Sequence, residues 1–295
     1  MVNLTSLEQF LNGMYAPVNC VTEKDYYRLW HERGIGNLAP IDVAIVGSLL
    51  ADRLPWVFTA GYQATLRNAF KSLPLGGWAA FAATENTHNP KAYPGTTLRD
   101  HEKGYLLNGH KSWVAHSDIV DYLVVTVNDP GGNKRRAQGL IIERRRAGLT
   151  LTQRVQPRFL ARMSQGFAKF EDTPINRSEI FEFESIRQFG RTEAKFVMLA
   201  GAVFLLARTS ASNELQDRLF AVITSLITLL SESETSTQVY GRIDREFQRC
   251  VDVFEKDTDL HHLPEYDTDR RLFRMYTDRI QQRVGYAKQD AQNNY

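Results

Sequence analysis

The chain has only two cysteines in 295 residues. Cys20 and Cys250 match no Cys-x-x-Cys spacing, so neither a disulfide framework nor a zinc or redox motif is indicated, and both are expected as thiols in a reducing compartment. An excess of one charge is also missing: 36 lysines and arginines stand against 34 acidic residues, a net charge of +2. That balance offers no electrostatic hold on nucleic acid or an anionic membrane. Long apolar runs are absent. Phe196 to Ala207 is the longest near the C-terminal third, about a dozen residues, where roughly 20 are needed to span a bilayer. Residues 1–20 lack the basic start, apolar run and small-residue cleavage site of a secretion signal, which leaves the cytoplasm as the expected location. No serine lies in a Gly-x-Ser-x-Gly context and neither cysteine sits in a nucleophile motif, so hydrolase chemistry has no support.

What is present reads as an ordinary globular chain, 43% hydrophobic and 24% charged, with three successive grammars. From Ser6 to about Phe70 apolar residues recur at helical spacing, most clearly from Asp42 to Leu54. Leu73-Pro74-Leu75-Gly76-Gly77 breaks that pattern. Short runs then follow: Trp78 to Ala83, Tyr105 to Leu107, Tyr122 to Val127, Gly139 to Ile142 and Phe167 to Phe170. Clusters suited to tight reversals separate them, namely His88-Asn89-Pro90, Asn108-Gly109, Asp129-Pro130-Gly131-Gly132-Asn133 and Asp172-Thr173-Pro174. After Arg187 the helical period returns in Phe196 to Ala207, Leu215 to Leu230 and Arg271 to Val284, with a polar loop from Asp257 to Asp269. The reading is an α+β protein with an N-terminal helical segment (1–76), a central β-domain built as a barrel or sandwich (77–186) and a C-terminal helical domain (187–295).

Two motifs sharpen this order. Gly77-Trp78-Ala79-Ala80-Phe81-Ala82-Ala83-Thr84-Glu85 resembles the strand ending in Thr-Glu that enters the β-domain of the acyl-CoA dehydrogenases, and Asn108-Gly109-His110-Lys111-Ser112-Trp113 resembles that family's Asn-Gly-x-Lys-x-Trp hairpin. Weaker echoes are Gly61 to Leu75, Phe170 to Ile175 and Ala200-Gly201-Ala202-Val203, so the resemblance spans roughly residues 40–210. It implies an acyl-CoA dehydrogenase-like fold, central β-barrel included, in a shortened and divergent member. The implied cofactor is FAD, with Phe81, Ala83 and Thr84 bordering the flavin ring, Trp113 stacking beside it and Ala115 at the following position. The implied substrate is an acyl thioester or related small metabolite, with electrons passing to an external acceptor or partner protein, and the family habit implies a homo-oligomer assembled through the C-terminal bundle. Without the resemblance, Thr84 would read as an ordinary strand-end hydroxyl and Trp113 as core.

The chain departs from the family pattern at three places. Trp113-Val114-Ala115 lacks the hydroxyl of the usual Trp-Ile-Thr or Trp-Ile-Ser. Asn86-Thr87-His88-Asn89-Pro90 replaces the Gly-Ser pair that helps seat the pyrophosphate, and proline has no N–H for a phosphate. The Tyr-Glu-Gly segment that carries the usual base is missing. An ungapped match through Ala200-Gly201-Ala202 places Ala194 or Lys195 where some members start the first C-terminal helix with the base, and Glu193 beside them is the candidate for proton removal. Its competing reading is an exposed first-turn acid. Gln238-Val239-Tyr240-Gly241-Arg242 lacks the pattern of the segment that holds a neighbouring subunit's FAD. Three functions stay open: a flavin-linked dehydrogenase, a non-catalytic binding or partner subunit on the same scaffold, and a flavin-dependent monooxygenase. His261-His262 beside Asp257, Asp259 and Glu265 reads as solvated side chains rather than a metal site, and Lys134-Arg135-Arg136 and Arg144-Arg145-Arg146 as solvated basic runs.

Overall fold

The computed structural model describes residues 15–127, 138–154, 157–181, 183–209, 213–232 and 236–293. Their contacts divide into two compact units, one formed by 21–38 and 65–191 and the other by the residues up to 20, 39–64 and 192 onward.

The first unit opens with α1 (Glu23–Glu32), started by a capping box in which Thr22 and Asp25 satisfy each other's backbone N–H. Two four-stranded sheets follow. One has the order β1 (Ala79–Ala82), β4 (Tyr122–Val127), β5 (Gln138–Glu143) and β8 (Ile180–Phe181), with β1 parallel to β4 and the other pairs antiparallel. The second has the order β2 (Thr97–His101), β3 (Gly104–Ala115), β7 (Gln165–Ile175) and β6 (Leu149–Gln153), antiparallel throughout. Leu107, Val114, Leu123, Val125, Leu140, Ile142, Ala168 and Phe170 form the core shared by the two sheets. The expected barrel is therefore two separate sheets, not one closed ladder.

Two clusters expected to reverse the chain instead lie inside long strands. Asn108-Gly109 belongs to β3 and Asp172-Thr173-Pro174 to β7, where the pairing register shifts between Leu107 and Gly109. There Asn108 Nδ2 donates to Asp172 Oδ1 at 3.0 Å and the Asp172 N–H donates to Asn108 Oδ1 at 2.9 Å. Asp172 takes φ +43° and Gly109 φ +120°. The residue types that favour turns here make a bulge, because the same freedom at positive φ serves both. A Cβ on Gly109 would also press into the Gly95 carbonyl. The cluster at 129–133 and the basic run at 134–136 lie outside the described residues.

In the second unit, the helix expected over 42–54 ends early. Helix α2 (Pro40–Leu50) stops and α3 (Leu54–Ala69) starts anew. A continuous helix would need the Pro55 N–H to donate to the Ala51 carbonyl, and proline has none; Ala51 O accepts the Arg208 guanidinium instead. The C-terminal helices are α4 (Phe183–Leu206), α5 (Asn213–Ser231), α6 (Thr237–Asp257), the single turn α7 (Tyr266–Asp269) and α8 (Thr277–Asn293). The loop expected over 257–269 thus holds a 3-10 turn at Leu260–His262 besides α7. Gly61 lets α3 approach α4, since a Cβ there would stand 2.7 Å from the Val197 Cα. Phe247, Phe254, Tyr266 and Phe273 pack edge to tilt beneath α6. Among the described residues no helix is long and apolar enough to cross a membrane.

Candidate functional site

The two sequence motifs meet in the sheet-bearing unit. Beyond the end of β1, the Thr84 carbonyl accepts the Ser112 backbone N–H at 2.8 Å and the Ser112 hydroxyl at 3.2 Å. One residue on, Glu85 Oε1 receives the Lys111 ammonium at 2.7 Å, and Lys111 is only 1% exposed. The other Lys111 donors reach Thr126 Oγ1 at 3.2 Å and the Ala83 carbonyl at 3.4 Å, and Glu85 also accepts the Thr96 N–H and hydroxyl. All three ammonium donors are engaged, as a buried cation requires. Burial works against the Glu85 carboxylate, yet Lys111 and Thr96 outweigh it and hold its pKa below the ordinary range. Burial likewise pulls the Lys111 pKa down, with Glu85 opposing. The glutamate of Thr-Glu and the lysine of Asn-Gly-x-Lys-x-Trp thus form one clip that joins the two stretches of chain.

Strand β3 carries a second register shift between Lys111 and Val114: three steps along β3 answer two along β7, from Ala168 to Gly166. A bulge re-aims side chains. Lys111 and Val114 both turn inward, while Ser112 and Trp113 are both left half-buried at the surface. Trp113 Nε1 donates to Gln165 Oε1 at 3.3 Å, and Gln165 Nε2 to the Phe159 carbonyl at 2.9 Å, which fixes the indole. Thr84 is exposed beside this segment.

The other expected site residues are placed differently. Ala83 is half-buried and meets Lys111 through its carbonyl. Phe81 stacks on Phe70 and Phe189, with ring centroids 5.9 and 4.2 Å away. Ala115 is fully buried. The loop replacing the Gly-Ser pair closes on itself: Asn86 Oδ1 accepts the N–H groups of His88 and Asn89 at 3.0 and 3.1 Å, and Asn89 Oδ1 accepts that of Ala92 at 3.2 Å. Backbone amides that would serve an anion are occupied by side chains.

Glu193 belongs to the helical unit. It lies in the interior of α4 rather than its first turn, where Glu184 sits, and it is half-buried. Burial pushes its carboxyl up to about 7, against a hydrogen bond from Tyr276 and the charge of Arg279. The first-turn reading fails because α4 begins ten residues earlier, at Phe183. The Lys195 ammonium lies 5.7 Å from the Tyr240 ring centre, while Asp244, fully buried, accepts from Thr277 Oγ1 at 3.0 Å and Gln281 Nε2 at 2.6 Å. Gln238 to Arg242 lies in the opening turns of α6. His262 pairs with Asp259 at 3.2 Å, both exposed, and among the described residues no three ligand-type side chains converge for a metal.

Sequence reasoning named Thr84 and Trp113 as candidates but not the Lys111–Glu85 ion pair that joins their two motifs, since an ion pair between residues 26 apart leaves no local signature. It also passed over Tyr93, His110, Phe167 and Lys169. The available signal was Phe167 itself, an aromatic at an outward position of an alternating strand.

Residues 80–172 match the family model of the acyl-CoA dehydrogenase middle domain. Among solved structures, PigA with FAD and proline superposes with TM-score 0.65 at 14% identity, over 98% of this chain and 93% of that one. A structure described as an FAD-dependent dehydrogenase gives TM-score 0.62 at 14% identity, covering 86% and 87%. The acyl-CoA dehydrogenase from Geobacillus kaustophilus gives 0.56 at 13%, covering 93% and 95%. No curated protein matches the sequence. The likeness in fold extends past residue 210, beyond the stretch where motifs are readable. Residues 80–172 of this chain thus resemble an acyl-CoA dehydrogenase middle domain, and the chain shares its fold with solved structures that include an acyl-CoA dehydrogenase.

Proposed function

We propose that the protein is a flavin-dependent oxidoreductase, with FAD held against the Thr84–Trp113 surface and an acyl thioester or related small metabolite as substrate. The observation that carries this reading is the bulge between Lys111 and Val114, which turns Trp113 outward beside Thr84 at the two positions carried over from the matched family. The flavin, when bound, supplies a two-electron hydride acceptor. This chain's own residues would do the rest. The Trp113 indole, fixed by Gln165, offers a flat apolar wall that excludes water. The exposed Thr84 hydroxyl can donate to a ring oxygen or nitrogen. Ala115 presents no side-chain donor, being a buried alanine.

A carboxyl that removes an α-proton is most effective when its pKa lies near working pH. Glu193, raised to about 7 by burial, has that acidity. Electrons would leave to an external acceptor, and assembly into a homo-oligomer is part of the same reading. The self-capped 86–92 loop favours a second reading, a scaffold that binds ligand or partner without turnover, because the amides expected for the pyrophosphate are already engaged.

The test is the visible absorption of the purified protein before and after addition of FAD. A bound flavin spectrum is expected, followed by bleaching with an acyl thioester under anaerobic conditions. Protein that takes up no FAD sinks the redox reading and leaves the scaffold. Oxygen consumption by flavin-loaded, reduced protein without thioester bleaching would point to monooxygenation instead.

A further inference from the structure

We infer that Tyr276 is a positioning residue for Glu193: its phenol donates a hydrogen bond to the carboxyl and fixes the direction in which that group points. The inference rests on the reading of Glu193 as the base, and the groups involved lie wholly within the helical unit. Tyr276 stands where the 3-10 turn Arg270–Arg274 leads into α8, and its carbonyl accepts the Ile280 N–H at 3.0 Å.

A side chain can position another only if it is itself held. The turn before Tyr276 is tied to α6 by Gln248 Nε2, which donates to the Phe273 carbonyl at 2.8 Å. Directly after it, Thr277 Oγ1 donates to the fully buried Asp244 at 3.0 Å. One turn on, Gln281 Nε2 donates to the other Asp244 oxygen at 2.6 Å and to the Gly241 carbonyl at 3.1 Å, while Arg245 Nη1 donates to Gln281 Oε1 at 2.8 Å. Val284 then packs so closely on Gly241 that a Cβ there would collide with it. Both sides of Tyr276 along the chain are thus locked to α6. The half-buried ring between them reaches α4, whose Ala194 and Val197 line one small cavity with Tyr276 and Phe273.

The chemistry follows from which form of the carboxyl each neighbour favours. Burial favours the neutral acid, whereas the Tyr276 donor and the Arg279 charge favour the carboxylate that a base must be. In return, burial and the nearby carboxylate hold the Tyr276 phenol well above the usual tyrosine range, so it stays protonated and remains a donor. A proton taken from substrate therefore rests on Glu193, and Tyr276 changes neither its charge nor its proton count. Among the neighbouring groups, Tyr62 on α3 and Tyr240 on α6 act on Tyr276. The Lys195 ammonium faces the Tyr240 ring, and Asp244 is satisfied by Thr277 and Gln281.

The experiment is a pH titration of the intact protein by carbon-13 NMR, with labelled glutamate carboxyls and tyrosine ring carbons, the Glu193 signal being the one lost in Glu193→Gln. The parent carboxyl is expected to titrate with a midpoint of about 7. Tyr276→Phe keeps the ring and removes the donor, and should raise proton affinity at Glu193 roughly tenfold; Arg279→Gln, at an exposed position, should raise it by less. In the parent, one tyrosine signal should shift with the same midpoint and lose that step in Glu193→Gln, a readout that does not depend on the Tyr276 variant folding. Flavin-loaded protein mixed with an acyl thioester should bleach with a pH profile that moves with the carboxyl midpoint, the half-saturating thioester concentration staying the same. A midpoint unmoved in Tyr276→Phe, or no tyrosine signal that follows Glu193, overturns the inference, while bleaching that still follows the carboxyl midpoint leaves the base reading standing. A midpoint that moves while the bleaching profile stays put supports the hold of Tyr276 on Glu193 and removes the base reading.

Discussion

The sheet-bearing unit and the helical unit both bury ionisable groups, and Lys111 in the first is satisfied differently from Glu193 in the second. In the first, Lys111 is paired with Glu85, and His116 Nδ1 lies 2.7 Å from Glu23, whose other oxygen accepts the Ser164 hydroxyl at 2.6 Å, while buried Arg67 donates to the Gly36 and Gly77 carbonyls. These pairs link residues far apart in the chain, so they specify which strand lies beside which. In the second unit, Glu193 has a tyrosine for a hydrogen-bond partner and a raised pKa, and Arg208 makes its contacts with backbone carbonyls while burial lowers its pKa to about 9. The difference is physical. A paired charge keeps its ionisation and acts as a fixed clip, whereas a charge solvated by neutral groups stays close to a protonation change. The Lys111–Glu85 pair is of the first kind and Glu193 of the second.

The largest expected effect tests the clip. Lys111→Met leaves the Glu85 carboxylate without its cation and should cost about 3 kcal/mol in urea unfolding; a loss under about 1 kcal/mol would mean that the pair does not hold the two motifs together. Next, Gly109→Ala forces a side chain into the left-handed bulge against Gly95, at about 2–3 kcal/mol. Native-like stability in that variant would contradict the bulge geometry. Trp113→Ala should lower flavin affinity roughly tenfold while the far-ultraviolet spectrum stays native; unchanged flavin content would remove the indole from the site.

The smallest effect probes the helical unit. With its folded pKa raised from 4.5 to about 7, the folded chain holds a proton on Glu193 that the unfolded chain has released across that window. The contribution of this group to stability is therefore complete below about pH 4.5 and is lost as pH rises through 7. Glu193→Gln should melt close to the parent at pH 5 and a few degrees above it at pH 8. A melting difference that does not change with pH would show that burial of the carboxyl is not what sets its acidity.

Several parts of this molecule were open to sequence reasoning because their signals are local. Helical periodicity in 196–207 and 215–230 reports one buried face of one helix, and α4 covers the first stretch up to Leu206 and α5 the whole of the second. The Thr-Glu and Lys-x-Trp motifs located Thr84 and Trp113 through likeness to a known family. Turn chemistry misled at Asn108-Gly109 and Asp172-Thr173-Pro174, because tolerance of positive φ is equally useful in a bulge and only strand pairing decides between them. Periodicity likewise ran through Ala51 to Leu54, where Pro55 breaks the helix.

By itself, then, the sequence determined the order helices, strands, helices, the absence of an apolar span long enough for a bilayer among its readable segments, and the pair of motifs. Tertiary structure decided what those motifs do to each other. It put Lys111 on Glu85, turned Trp113 outward and Ala115 inward by one extra residue in β3, and gathered Tyr93, His110, Phe167 and Lys169 around one groove. Contacts between residues distant along the chain depend on strand order and register, and no short stretch of sequence carries that information.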